Sequence, residues 1–251
     1  MKNILVTILI LFSMSGIAQK GSQPGSRSVK EILKTYNRLF EIDNTYDGLK
    51  EDVFDSIDKY NGALISLISA PAFGLLKDSD YRTISKSTDI KIMFSQDKKL
   101  MLVSWRVLFN LPNPVCINIL WIGGKATKIS SMEADSEEEY ESNVQVNKIV
   151  DFNLWGKVYY ILTGSNRCGN LCIQEVISAF YIGTHGKLNP AGIFYDGKKY
   201  KQKLGFNYIL NVDTKEEPAF LIKGDELTCP VFNVERTKVI GSKRYKIKPA
   251  G

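Results

Sequence analysis

At 251 residues, 44% of them apolar, the chain is long enough for one generous domain with a sizeable core, and its composition excludes wholesale disorder. A formal net charge of +6, from 33 Lys and Arg against 27 Asp and Glu, is a mild excess spread along the sequence, so nucleic acid is not an expected partner. One His and four Cys, without knuckle spacing, give no metal pattern; neither a metal nor a cofactor is expected.

The first 18 residues read as an export signal. Lys2 supplies the positive start, Ile4 to Phe12 a short apolar run, and Gly16-Ile17-Ala18 the small residues of a cleavage site, with Gln19 as the new amino terminus. The run is too short to hold across a bilayer, and no later stretch is long and apolar enough, so no transmembrane segment is expected after cleavage. An exported protein follows, periplasmic or extracellular, in the style of a bacterial envelope protein.

Residues 19–27 are rich in Gly, Ser and Pro and read as a flexible leader. Ser28 and Glu31 have the spacing of a capping box. Val29, Ile32, Leu33, Tyr36, Leu39 and Phe40 follow at helical intervals, which predicts a helix ending near Ile42. A turn cluster from Asp43 to Gly48 leads to a second helix with Leu49, Val53, Ile57, Tyr60 and Leu64 on one face; Asn61-Gly62 weakens it and Pro71 stops it. This helical hairpin, residues 28–70, is expected to cap a sheet rather than form a free partner-binding arm.

Residues 71–251 are assigned to an antiparallel β domain, the period-two rhythm starting near Ile90. In Leu100 to Phe109, Met101, Val103, Trp105, Val107 and Phe109 fall on one side, with Ser104 and Arg106 on the other, which predicts a strand with one core face. Val115, Ile117, Ile119 and Trp121 repeat the pattern. Turn signals then recur at Asp97-Lys98, Gly123-Gly124, Trp155-Gly156, His185-Gly186, Asp196-Gly197 and Gly224-Asp225, with Asp196-Gly197 the best match to a type I′ hairpin turn. The fold class is mainly β (α+β), an N-terminal helical hairpin followed by an antiparallel meander of about ten strands forming a sandwich, barrel or propeller-like domain.

Four Cys remain after the signal. Cys168 and Cys172 flank a short loop between two strand-like runs, close enough for a disulfide across a hairpin, and Cys116 with Cys229 follows by elimination. His185, in a Gly-flanked turn, reads as an exposed loop residue and not as a catalytic base. Asp151 and Glu175 lie in strand-like runs and are the carboxylates a glycosidase-like pair would use. Glu133 to Glu141, six acids in nine residues, reads as a solvated loop more than as a calcium site. Lys199, Lys201 and Lys203 would line one face of an edge strand, and Lys243, Arg244 and Lys246 form a second basic stretch.

Trp155, placed in a turn, is the residue best suited to stack on a sugar or peptide, with Tyr159 and Tyr181 as aromatic companions. No nucleophile, metal or phosphate-loop motif stands out. The reading is a non-catalytic binding module for carbohydrate, peptide or protein at the cell envelope. The alternatives are a carboxylate-dependent hydrolase such as a glycosidase, and a structural envelope protein.

Overall fold

The computed structural model describes residues 24–45, 51–108, 114–129, 143–210 and 218–249. The export signal and the acidic block Glu133 to Glu141 lie outside the described residues. Four helices come first: α1 (Pro24–Asn44), α2 (Glu51–Ser69), α3 (Pro71–Gly74) and α4 (Asp78–Ser87). A four-stranded antiparallel sheet follows in the order β1 (Lys91–Phe94), β2 (Leu100–Val107), β3 (Val115–Ile122), β4 (Lys125–Ile129). The chain then enters a second sheet through β5 (Gln145–Leu154), β6 (Lys157–Arg167), β7 (Cys172–Ile182) and the short β8 (Leu188–Pro190). It starts a third sheet with β9 (Phe194–Tyr195) and β10 (Tyr200–Lys201), and returns to the second with β11 (Lys203–Ile209). It finishes the third with β12 (Leu221–Lys223), β13 (Glu226–Phe232) and β14 (Val239–Ile247). The second sheet runs β11-β7-β6-β5 with β8 beside β7, the third runs β10-β9-β14-β13-β12, and every strand pair is antiparallel. Among the described residues no sheet closes into a barrel, so the β domain is sandwich-like.

Three apolar cores separate four layers. Ile32, Leu39, Leu64, Ile68 and Ile84 of the helices meet Met101, Val103, Trp105, Ile119 and Trp121 of the first sheet. Leu100, Leu102 and Leu120 on that sheet's other face meet Val144, Val146, Tyr160, Leu162 and Val176 of the second. Tyr159, Ile161, Ile177 and Phe206 then meet Ile193, Phe194, Leu227 and Tyr245 across to the third. Each fully buried aliphatic side chain contributes about 1.5–3 kcal/mol; the exposed ion pairs on α1, Arg27–Glu31 and Arg38–Glu41, are weak by comparison.

The helices cap the first sheet, as their single apolar stripes require. Their boundaries differ from the pattern. The first helix begins at Pro24, so Ser28 lies inside it and Glu31 pairs with Arg27 one turn back. Asn61-Gly62 does not end the second: Asn61 stays helical because its Oδ1 accepts the buried Trp105 indole N–H at 3.0 Å. Helices α3 and α4 extend the helical layer past Pro71. The latter buries only Tyr81 and Ile84, too few for a visible stripe. Among the described residues no helix is long and apolar enough to cross a membrane.

The expectation of one core face for β2 is corrected. Its alternate residues go to helices on one side and to the second sheet on the other, so Ser104 is as buried as Trp105. Asp196-Gly197 is also not a two-residue turn. Tyr195 pairs with Tyr200, and Asp196 instead accepts the Lys198 and Lys199 amides in a four-residue loop. Gly123-Gly124 is a two-residue turn, between paired Ile122 and Lys125, with φ of 56° and 77°. The basic stretch at Lys199 to Lys203 is broken at Gln202: Lys201 ends an edge strand of the third sheet, while Lys203 begins an edge strand of the second and is buried.

Cys168 and Cys172 form a disulfide across their loop, with α-carbons 5.0 Å apart. Cys116 and Cys229 are free thiols, which corrects their pairing by elimination. One is on the first sheet and the other on the third, and two sheet-to-sheet spacings of about 10 Å each exceed the reach of a disulfide.

Two polar pins join the first and second sheets. Strand β5 is an edge, so its outer backbone groups need partners from elsewhere. Buried Asn118 of β3 supplies them: its Oδ1 accepts the Val146 amide (3.2 Å) and the Ser104 hydroxyl (2.7 Å), and its Nδ2 donates to the Val144 carbonyl (2.9 Å). The second pin is Asp97 in the β1–β2 turn. It accepts the Ser95 hydroxyl (2.7 Å), the Tyr160 hydroxyl (2.8 Å) and the Lys99 amide (3.1 Å), while its own amide donates to Asp151 Oδ2 (3.0 Å). Burial alone would raise the Asp97 pKa; the three hydrogen bonds and the Lys99 charge outweigh it and hold the carboxyl below its ordinary value.

Asn118→Leu leaves the Val146 N–H, the Val144 C=O and the Ser104 hydroxyl without partners, and is expected to cost about 3–5 kcal/mol in urea unfolding. Asn153→Ala on the exposed face of β5 should stay within about 0.5 kcal/mol. Because the Asp97 pKa is depressed on folding, its contribution is present above the unfolded carboxyl pKa of about 3.9 and lost as pH falls through the folded value. The melting-temperature gap between the native chain and Asp97→Asn should therefore be constant near neutrality and narrow below about pH 4. Thiol titration of the unfolded, unreduced chain should find Cys116 and Cys229 free, and Cys168 and Cys172 only after reduction.

Candidate functional site

The β5–β6 hairpin is closed by two residues. Leu154 pairs with Lys157, and Trp155 and Gly156 between them have φ of 52° and 79°, the type I′ combination. Glycine adopts this backbone freely, whereas a bulky side chain at positive φ is an outlier. Trp155 is 83% exposed, while Trp105 and Trp121 are buried in the helix-facing core. Trp155 thus combines an unfavourable backbone with an unfavourable exposure, both at the tip of a long, well-paired hairpin.

Beneath the tip, period-two alternation puts Lys157 and Tyr159 on one face of β6, the face turned to the third sheet. The Tyr159 and Tyr181 rings meet edge to face with centroids 6.3 Å apart. The Lys157 ammonium lies 3.3 Å from the Tyr181 centroid and 5.4 Å from that of Tyr159. The structure therefore brings Tyr159 and Tyr181 together, with Tyr159 buried, Tyr181 half-buried and Lys157 laid over both. Of the three aromatic candidates, Trp155 alone is fully presented to solvent. Lys157 was missed in the sequence, although its spacing of two from Tyr159 carried the signal.

His185 is exposed in the β7–β8 turn, at the same end of the second sheet, where its Nδ1 lies 3.2 Å from the neighbouring Thr184 hydroxyl. No acid partner for it stands among the described residues.

The two carboxylates that the alternative hydrolase reading would use, Asp151 and Glu175, do not come together. Asp151 pairs with Tyr160, which pairs with Phe180; Glu175 lies five residues along β7 from Phe180 and so projects from the opposite face of the sheet. Five residues also separate them by about 17 Å along the strands. Asp151 instead meets Asp97, a proximity no spacing could show. Both Asp97 oxygens are committed to protein donors, and Asp151 Oδ1 is buried out of reach of a substrate. A general acid or base needs an oxygen within hydrogen-bond reach of the reacting group.

The second basic stretch is neutralised within the third sheet. Lys243 lies 3.7 Å from Asp196, Arg244 lies 3.5 Å from Glu226, and Lys246 lies 3.6 Å from Asp225. Lys248 sits over the Tyr195 ring at 3.9 Å. Compared with known protein families and with curated proteins, the chain matches none.

Proposed function

We propose that the protein is an exported, non-catalytic binding protein that engages a glycan through Trp155 at the tip of the β5–β6 hairpin. The observation that carries this reading is a large apolar side chain held 83% exposed on a positive-φ turn. Strained backbone kept at an exposed residue points to a task other than stability. A flat indole suits the C–H face of a sugar ring, and Tyr181 and Lys157 give the tip a stiff base. The export pattern of residues 1–18 and the Cys168–Cys172 disulfide support an oxidising compartment outside the cytoplasm. The hydrolase reading loses its support with the separation of Asp151 from Glu175.

Fluorescence tests this directly, because Trp155 is the water-exposed indole among three and so dominates acrylamide quenching. A panel of envelope and plant oligosaccharides should contain one that shields Trp155 from acrylamide in a saturable way. Trp155→Ala should weaken that ligand by about thirtyfold, the 2 kcal/mol of an aromatic hot spot, with an unchanged melting temperature. Shielding by peptides alone would replace the glycan with a peptide, and undiminished binding by Trp155→Ala would remove this residue from the site.

A further inference from the structure

The opposite end of β5 borders a cavity of about 490 Å³, lined by Thr88 and Asp89 after α4, Lys91 of β1, Arg106 of β2, and Gln145 and Asn147 of β5. Its volume falls in the range of small-molecule sites. Lys91 pairs with Ser104, and Arg106 stands two residues beyond Ser104 on β2, so the two residues share one face as diagonal neighbours whose backbone positions are about 7–8 Å apart. Like charges placed so repel each other, and among the described residues neither has a carboxylate within 4.0 Å or a hydrogen-bonded acceptor.

The neighbouring groups compensate only in part. Asp89 lines the same cavity, but its Oδ2 accepts the Tyr36 hydroxyl at 3.3 Å, and its charge balances one cation at most. Cys116, paired across the strands with Arg106, stays a neutral thiol because burial pushes its pKa up to about 12. Burial also lowers the Lys91 pKa, and Arg106 adds to that against the weaker pull of Asp89 and Glu175. Gln145 and Asn147 add amide groups at the rim. The side chains lining the cavity therefore carry two cations, a forked guanidinium donor and an ammonium, against one carboxylate, and this pair of cations is the chemistry that recognises an oxyanion.

We propose that this cavity binds a small ligand through a carboxylate or phosphate group, held between Arg106 and Lys91. It is separate from the Trp155 tip: the eight steps along the chain from Asn147 to Trp155 span about 26 Å. The two sites can therefore fail independently.

Calorimetric titration of the whole mature protein in an amine-sulfonate buffer, with inorganic phosphate and with succinate, tests the proposal. Sodium chloride at matched ionic strength is the control. Saturable binding of either probe with a Kd below about 5 mM is expected, and which probe binds identifies the anion class. Arg106→Gln and Lys91→Gln should each weaken it at least about tenfold, the loss of one charge-assisted contact. Arg106→Lys should fall between, and Trp155→Ala should bind as the native chain does. Melting temperatures check that each variant folds, and Lys91→Gln, at a less enclosed position, serves as the deciding variant if Arg106→Gln does not fold. No saturation below about 5 mM with either probe, or equal binding by the folded variants, overturns the proposal.

Discussion

The architecture depends on what satisfies the free edge of β5. An edge strand pressed against another sheet would strand its amides and carbonyls away from water, a cost of about 1–3 kcal/mol for each group. Asn118 resolves this where β5 begins, accepting the Val146 amide and donating to the Val144 carbonyl, with Ser104 fixing its orientation. Asn143 and Asn166 continue the theme nearby. Asn143 accepts the Cys116 amide and donates to the Pro114 carbonyl, which Asn166 also reaches. A row of asparagines thus does for the junction of two sheets what a further strand would do for an ordinary edge.

The stack of layers follows from that junction. The helices and the first sheet form one packed unit, and the second and third sheets form another. The core between them is smaller, built on Leu100, Leu102, Leu120 and their partners, and it is bounded by Asn118 on one side and by the Asp97–Tyr160 pin on the other. Tyr160 shows how closely polar and apolar duties are shared: its ring is in the core while its hydroxyl is held by a carboxylate, and burial followed by the Asp97 bond raises its pKa.

The same layering sets out the surfaces available for function. Strand β5 reaches from the cavity beside Lys91 and Arg106 to the Trp155 turn, so the two candidate sites lie at its two ends. Neither offers an activated nucleophile or a free pair of carboxylates. The turn offers an exposed indole, and the cavity two cations against the single carboxylate of Asp89.

Much of this was legible in the residues alone. Apolar spacing of three and four in Val29 to Phe40 defines a helix, alternation from Leu100 and from Val115 defines strands, and the short loop between Cys168 and Cys172 defines a disulfide, because each is a local relation along the chain. Trp155 could be singled out for the same reason, by its place in a turn beside glycine. Tertiary structure alone decided the rest. That β2 is covered on both faces, that Asp151 meets Asp97 and not Glu175, that Cys116 and Cys229 lie in different layers, and that Lys91 and Arg106 share a cavity all depend on which strands become neighbours. Strand neighbourhood is set by the packing of whole sheets, and no spacing within a single segment encodes it.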